Sequence, residues 1–291
     1  MLVLLIDNKI NAGIPLEHMQ GQLDNVHGRF DGQNLEVGGA LSLASVSLLG
    51  QQITALESPF KVADGRATLS NISGKLLNGQ ARGKFAVSLD TTPRYSAELT
   101  LEKADLRRYA ETINGHQSYS GEVSGWLSLY GMGNDLRTLN GNGEVHVVQG
   151  NLGELPAVFS LLKLLKTSKV SQANKAAFDE ADVALKIQNG ETQLNSIKLT
   201  GNVISFQGRG SMDVQGHLAL ELNPLAGRDR FHVPILSDAL REASGQLFVV
   251  SVSGTLAAPA FKPSVVPRVT DGVRSLSRGK GRSSREETDV R

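Results

Sequence analysis

Pairs of glycines separated by one residue, a spacing used in phosphate-binding loops, include Gly131 with Gly133, Gly141 with Gly143, and Gly208 with Gly210. Such a loop holds phosphate only where it joins a strand to the N-terminus of a helix. Here strand-like segments follow the glycines instead, at residues 144–148 and 212–214. We therefore interpret these glycines as turn or bulge positions at which a sheet bends.

Other residues able to do chemistry are scattered. The densest acidic cluster before the C-terminal tail, Asp179, Glu180 and Asp182, is interpreted as a solvated strand face, because a general-acid pair needs burial that separates the two pKa values. There is no cysteine and no Gly-x-Ser-x-Gly motif. We therefore predict a protein that is not an enzyme and uses no metal or cofactor. The histidines lack metal-pair spacing and are interpreted as surface or strand-edge residues: His18, His27, His116, His146, His217 and His232.

Composition narrows the classes of partner. The chain has 291 residues, of which 40% are hydrophobic and 5% aromatic, and a formal net charge of +1. Binding to nucleic acid needs a concentrated basic surface, so we predict no nucleic-acid partner. The apolar opening at residues 1–6 is too short for a signal peptide. The protein is either cytosolic or the C-terminal part of a longer, anchored product, and the strand-like start favours the second.

Alternation of apolar and polar residues is the dominant pattern, and it predicts strands with one apolar and one wet face. Asn-Gly pairs between such runs are typical of hairpin turns; they occur at 78–79, 114–115, 140–141 and 189–190. The predicted fold class is mainly β: a long, twisted antiparallel sheet curled into an apolar groove, with three short helices. The apolar parity comprises Phe85, Val87, Leu89, Leu99, Leu101, Val123, Leu127, Leu129, Val183, Leu185, Ile187, Leu218, Leu220 and Leu222.

Helical spacing is found in only three segments, residues 105–113, 155–166 and 234–243. The second is rich in leucine and carries lysines, so it either plugs one end of the β structure as a lid or lies on a membrane surface. Residues 267–291 form a basic, Ser- and Gly-containing tail that is predicted to be disordered. The lid or membrane-contact face of the second helix consists of Leu155, Val158, Phe159, Leu162 and Leu165.

The helices are too few for the sheet. We count roughly fourteen to seventeen strands from the alternation, and a helix about 10 Å wide covers only two or three strands spaced about 4.8 Å apart. The rest of the apolar face must be covered by a second sheet, by closure into a barrel, or by an apolar ligand lying in a trough. Composition alone leaves these three alternatives open.

Residues 119–262 resemble the C-terminal domain of the AsmA-like family, which is related to TamB and to the bridge-like lipid-transfer superfamily. The resemblance lies in the order and spacing of several segments: residues 120–125, 127–133, 136–143, 150–156, 178–182, 199–210 and 250–259. It implies a domain at 119–266, preceded by a β-repeat region at 1–118 that continues the groove. It also implies an envelope protein in the periplasm, anchored to the inner membrane in a full-length form.

The function implied by this resemblance is binding or transfer of phospholipid along an apolar β-groove between the inner and outer membranes. The expected partners are phospholipid or another acyl lipid, the membrane surface and envelope membrane proteins. The alternative is a structural or assembly factor for outer-membrane biogenesis, built as a dry β sandwich that handles no lipid.

Overall fold

The structure is a computed structural model, and it describes residues 3–11, 15–32, 34–48, 51–114, 120–151, 178–201, 204–226, 246–255 and 259–267. Within these ranges the chain forms one 15-stranded sheet in which every strand lies beside the next strand in the sequence. All the pairings are antiparallel, so the predicted meander is confirmed. The first and last strands lie at opposite edges, so the described sheet is open rather than closed.

The strands are long, and several exceed the usual five or six residues. Their bounds are β1 (Val3–Asn11), β2 (Pro15–Phe30), β3 (Leu35–Leu48), β4 (Gln51–Ala63), β5 (Arg66–Leu76), β6 (Gly79–Ser88), β7 (Arg94–Asp105), β8 (Ser120–Met132), β9 (Asn140–Asn151), β10 (Glu180–Gln188), β11 (Glu191–Thr200), β12 (Ile204–Met212), β13 (Leu218–Ala226), β14 (Gln246–Gly254) and β15 (Pro259–Pro267).

Of the three predicted helices, the structure describes the first, α1 (Leu106–Asn114). It begins after Asp105, whose carboxylate accepts a hydrogen bond from the Arg107 backbone N–H at 2.9 Å, an N-terminal capping interaction. The helices predicted at 155–166 and 234–243 lie outside the described residues, as does the tail from 268 onward. None of the described helices has the length and apolarity needed to cross a membrane.

The sheet continues without a break across the predicted domain boundary at 118–119. Strand β7 lies before that boundary and β8 after it, and the two pair from Arg94 with Met132 to Asp105 with Glu122. The predicted division into domains therefore separates two stretches of one sheet.

The Asn-Gly pairs differ in where they lie relative to the hairpin turns. Asn189 and Gly190 form the predicted two-residue turn, with positive φ at both positions (51° and 83°). At the β5–β6 hairpin the turn residues are Leu77 and Asn78, one position earlier than predicted.

The turn predicted at residues 140–141 is wrong. Asn140 and Gly141 lie within β9, paired with Tyr130 and Leu129 of β8. The real connection contains a short 3-10 helix, Leu136–Thr138, whose first turn is capped by Asp135. The Asn-Gly pair does not form a turn here, because both residues take part in the pairing of β8 with β9.

The structure confirms the turn or bulge interpretation for Gly133, which lies in the turn after β8 with a φ of 59°, and corrects it for the other two pairs. Gly141, Gly143, Gly208 and Gly210 occupy regular register positions inside β9 and β12. Several bulges lie instead at non-glycine residues with positive φ. Lys103 (φ 52°) lies between the Leu101–Gly125 and Ala104–Val123 pairs, and Asn71, Asn25 and other residues mark similar register shifts. Each bulge bends and twists its strand.

Among the described residues, buried apolar side chains form two clusters on the sheet. The larger cluster spans β10 to β14 and centres on Phe178 and Phe206, both fully buried, with ring centroids 5.7 Å apart. Leu106 of α1 packs against it. The smaller cluster, at the other end of the described sheet, comprises Met19, Leu43 and Val46.

Candidate functional site

One face of the sheet is built from aligned apolar rows, because direct partners in an antiparallel pair point to the same side. We call this the apolar face. Its first row runs Phe85, Ala97, Leu129, Gly141, Ile187, Thr192, Met212 and Leu218. The second row runs Gly83, Leu99, Leu127, Gly143, Leu185, Leu194, Gly210, Leu220 and Val252.

Two further rows extend the apolar face toward the larger buried cluster. The third row runs Ala81, Leu101, Gly125, Val145, Val183, Ile197, Gly208, Leu222 and Val250. The fourth row runs Ala104, Val123, Val147, Ala181, Leu199 and Phe206.

The register brings thirteen of the fourteen proposed lining residues onto this face. Val87 joins it through its pairing with Tyr95. Leu89 does not, because β6 ends at Ser88 and the Leu89 side chain is 56% exposed. A local parity pattern could not reveal that the strand ended one residue earlier.

Most of the proposed lining is neither buried nor fully exposed. Leu129, Leu218 and Leu222 are buried, whereas ten of the fourteen are partly exposed, among them Phe85, Leu127, Leu185 and Leu220. Apolar side chains in adjoining rows of a sheet that keep access to solvent form a contiguous patch. Patches of this kind are typical of binding surfaces.

Glycines let leucines lie flat on the apolar face. A Cβ placed on Gly141 would meet Leu129 Cδ2 at 2.8 Å, and one on Gly143 would meet Leu127 Cδ1 at 3.0 Å. Gly210 and Leu220 have the same relationship on β12 and β13, at 2.7 Å. Each leucine therefore fills the space over the glycine opposite it. The sequence patterns reveal glycines in strands but not which leucine lies over each one.

The opposite face, which we call the polar face, carries charges in cross-strand pairs. Lys84 and Glu98 are register partners with Nζ and Oε2 2.9 Å apart, and both side chains are more than half exposed. Lys61 forms an ion pair with Glu36. Their mutual hydrogen bond, followed by their charge attraction, lowers the pKa of the Glu36 carboxyl and raises that of the Lys61 ammonium.

Two histidines have carboxylate partners that the sequence analysis missed. His146 Nδ1 lies 2.7 Å from Asp182 Oδ1 across β9 and β10, and His146 Nε2 lies 3.9 Å from Glu144 Oε2. His217 Nδ1 lies 2.9 Å from Asp213 Oδ2 within the β12–β13 turn. The first pair is separated by 36 residues in sequence, so only the strand register could have revealed it. The described residues contain no group of three or more side chains suited to a metal ion.

The polar face also carries a shallow depression over β8, β9 and β10. It has a volume of about 550 Å³, and its lining includes Trp126, Tyr130, Asn142 and Lys186. Aromatic residues make up only 5% of the chain, so composition gives no signal for this pair.

The predicted lid or membrane-contact residues on the helix at 155–166 lie outside the described residues. Comparison with family models, with curated proteins and with solved structures finds no match to this chain.

Proposed function

We propose that this chain is a non-enzymatic cell-envelope protein that binds acyl lipids on its apolar face and passes phospholipid between the inner and outer membranes. The proposal rests above all on one observation: the four apolar rows adjoin one another from β7 to β12, and most of the proposed lining residues remain partly exposed.

Energetics favour an apolar guest on such a face. Apolar surface left in water costs about 25 cal/mol per Å², and each buried methylene of an acyl chain contributes about 0.8 kcal/mol. A lipid chain lying across the rows would cover leucines from several strands at once. Binding would then be collective and would tolerate variation in acyl structure, because no single polar contact determines it.

In this proposal the sheet curls so that the apolar face forms the inside of a groove. Two features support that shape. Bulges at residues such as Asn71 and Lys103 increase local twist and bend their strands. Glycines on the apolar face, such as Gly141 and Gly210, let neighbouring strands approach without crowding on the inner side. Charged pairs on the polar face keep the outer surface of the groove exposed to solvent.

The length of the sheet bears on how far lipid could travel. Fifteen strands spaced about 4.8 Å apart give a path of about 70 Å along the sheet. That is short for a bridge between two membranes, so we propose that the groove works with further chain or with docked envelope proteins. The AsmA-like resemblance of residues 119–262 supports the periplasmic setting of this proposal.

The experiment is lipid analysis of the protein purified gently from a bacterial envelope, together with two matched variants. Leu220→Arg places a charge in the second row of the apolar face, between Gly210 and Val252. Ala219→Arg places the same charge on the next residue, which points to the polar face beside Ser211. We expect phospholipid with the wild type and with Ala219→Arg, and much less with Leu220→Arg.

Two results would contradict the proposal. One is a wild-type chain that carries no lipid and extracts none from phosphatidylethanolamine–phosphatidylglycerol vesicles; the assembly-factor alternative would then be favoured. The other is equal lipid binding by Leu220→Arg and the wild type, with circular dichroism showing that both are folded.

A further inference from the structure

The depression on the polar face joins aromatic and amide side chains above three central strands. Trp126 and Tyr130 lie on β8, four residues apart, and therefore about 13–14 Å apart on the same face. Their side chains are 39% and 58% exposed. Two exposed aromatic rings aligned along one strand, on a face that is otherwise polar, form a surface on which a flat ligand can stack.

Neighbouring residues hold this surface in position. The Trp126 indole N–H donates a hydrogen bond to Glu144 Oε2 at 3.2 Å, which restrains the ring. Asn140 borders the depression beside Tyr130, and its side-chain amide is held on both sides. It donates to the Thr138 carbonyl at 2.8 Å and accepts from the Asn189 backbone N–H at 3.2 Å.

The polar lining is rich in amides and has little net charge. Asn140, Asn142, Gln188 and Asn195 line the depression, and the single carboxylate of Glu144 is offset by the ammonium of Lys186. An amide side chain offers both hydrogen-bond donors and an acceptor. Such a set suits a ligand whose hydroxyl groups also do both, and it gives no advantage to a charged ligand.

Other ligand classes fit poorly. Nucleic acid or a phosphorylated ligand would require several cations, and Lys186 is the one cationic residue in the lining of this depression. A peptide added as a strand needs an open sheet edge, whereas β8, β9 and β10 are each hydrogen-bonded on both sides. An acyl chain needs a continuous apolar surface, whereas four amide side chains interrupt the lining of this depression.

We propose that this depression binds a neutral oligosaccharide. The C–H face of one sugar ring stacks on Trp126 and that of another on Tyr130, while hydroxyl groups between them bond to Asn142 and Gln188. The rings prefer such contacts because the aromatic face is electron-rich and the sugar C–H groups are weakly positive. The aromatic rings and Asn142 lie at strand positions that alternate with those of the apolar face, so the proposed contacts are independent of the lipid proposal.

Trp126 is the one tryptophan in the chain, so intrinsic fluorescence reports directly on the site. The experiment titrates the full chain with cellohexaose and with chitohexaose and follows Trp126 emission, with calorimetry as a second measure. We expect a saturable change in emission with at least one of these sugars. Tyr130→Ala should raise its Kd about tenfold, the loss of one stacked ring.

Phe30→Ala serves as the matched control, because it removes an exposed aromatic ring at the end of β2, outside the lining of the depression, and should leave sugar affinity unaltered. The absence of both a saturable emission change and measurable heat with either sugar would overturn the proposal. So would a Kd that Tyr130→Ala and Asn142→Ala both leave unchanged, since binding would then lie elsewhere.

Discussion

Leu129 lies directly over Gly141, its partner across β8 and β9, so closely that a Cβ on the glycine would come within 2.8 Å of Leu129 Cδ2. The same relationship joins Leu220 to Gly210 on strands much later in the chain. In each pair the leucine side chain occupies the space above its own strand and above the glycine of the neighbouring strand. This arrangement lets a sheet made of regular strands carry apolar side chains on adjacent strands without a clash between register partners.

Adding a methyl group at Gly141 should destabilise the sheet. In Gly141→Ala the new Cβ would crowd the Ser128 carbonyl oxygen and Leu129, and overpacking of this kind costs about 1–3 kcal/mol. Gly28→Ala is the matched control, because its Cβ would be 3.5 Å from the nearest atom, the Glu36 carbonyl oxygen. Urea unfolding midpoints measure both. Equal midpoints for the two variants would show that the glycine is not required for packing.

The sequence could reveal the faces of the strands but not their partners. Period-two alternation is local, and it placed Leu99, Leu127 and Leu185 correctly on one side of the sheet. The register between two strands depends on residues that are distant from each other in the sequence. Whether Gly141 turns the chain or lies inside a strand depends on Leu129, and the pairing of His146 with Asp182 depends on two separate strands.

Removing the Phe206 ring should cost more stability than removing the Phe85 ring. Phe206 is fully buried against Phe178, so Phe206→Ala should lower the free energy of unfolding by about 3–5 kcal/mol. Phe85 is partly exposed on the apolar face, and Phe85→Ala should cost less than half as much. Thermal unfolding of lipid-free protein measures both, and equal losses would contradict the assignment of Phe85 to an open surface.

The β12–β13 turn should weaken in acid. Hydrogen bonds from the backbone N–H and then the ring of His217 lower the pKa of the Asp213 carboxyl from its ordinary value of 3.8. A lowered carboxyl pKa contributes stability that is complete above pH 3.8 and is lost as the pH falls through the folded-state pKa. Asp213→Asn keeps an acceptor oxygen but does not titrate. We therefore expect the free energy of unfolding of the wild type to approach that of Asp213→Asn below pH 3.8; a constant difference across that range would contradict the assignment.

The central claim is that acyl chains lie on the apolar face, and photocrosslinking tests it most directly. Unaltered protein is loaded with a phospholipid that carries a benzophenone in its acyl chain, irradiated, and mapped by peptide mass spectrometry. Adjacent residues of one strand provide the comparison, since Leu127 and Ser128, Leu185 and Lys186, and Leu220 and Glu221 point to opposite faces. The account predicts crosslinks at the three leucines. Crosslinks absent from them, or equally frequent at their polar neighbours, would contradict it.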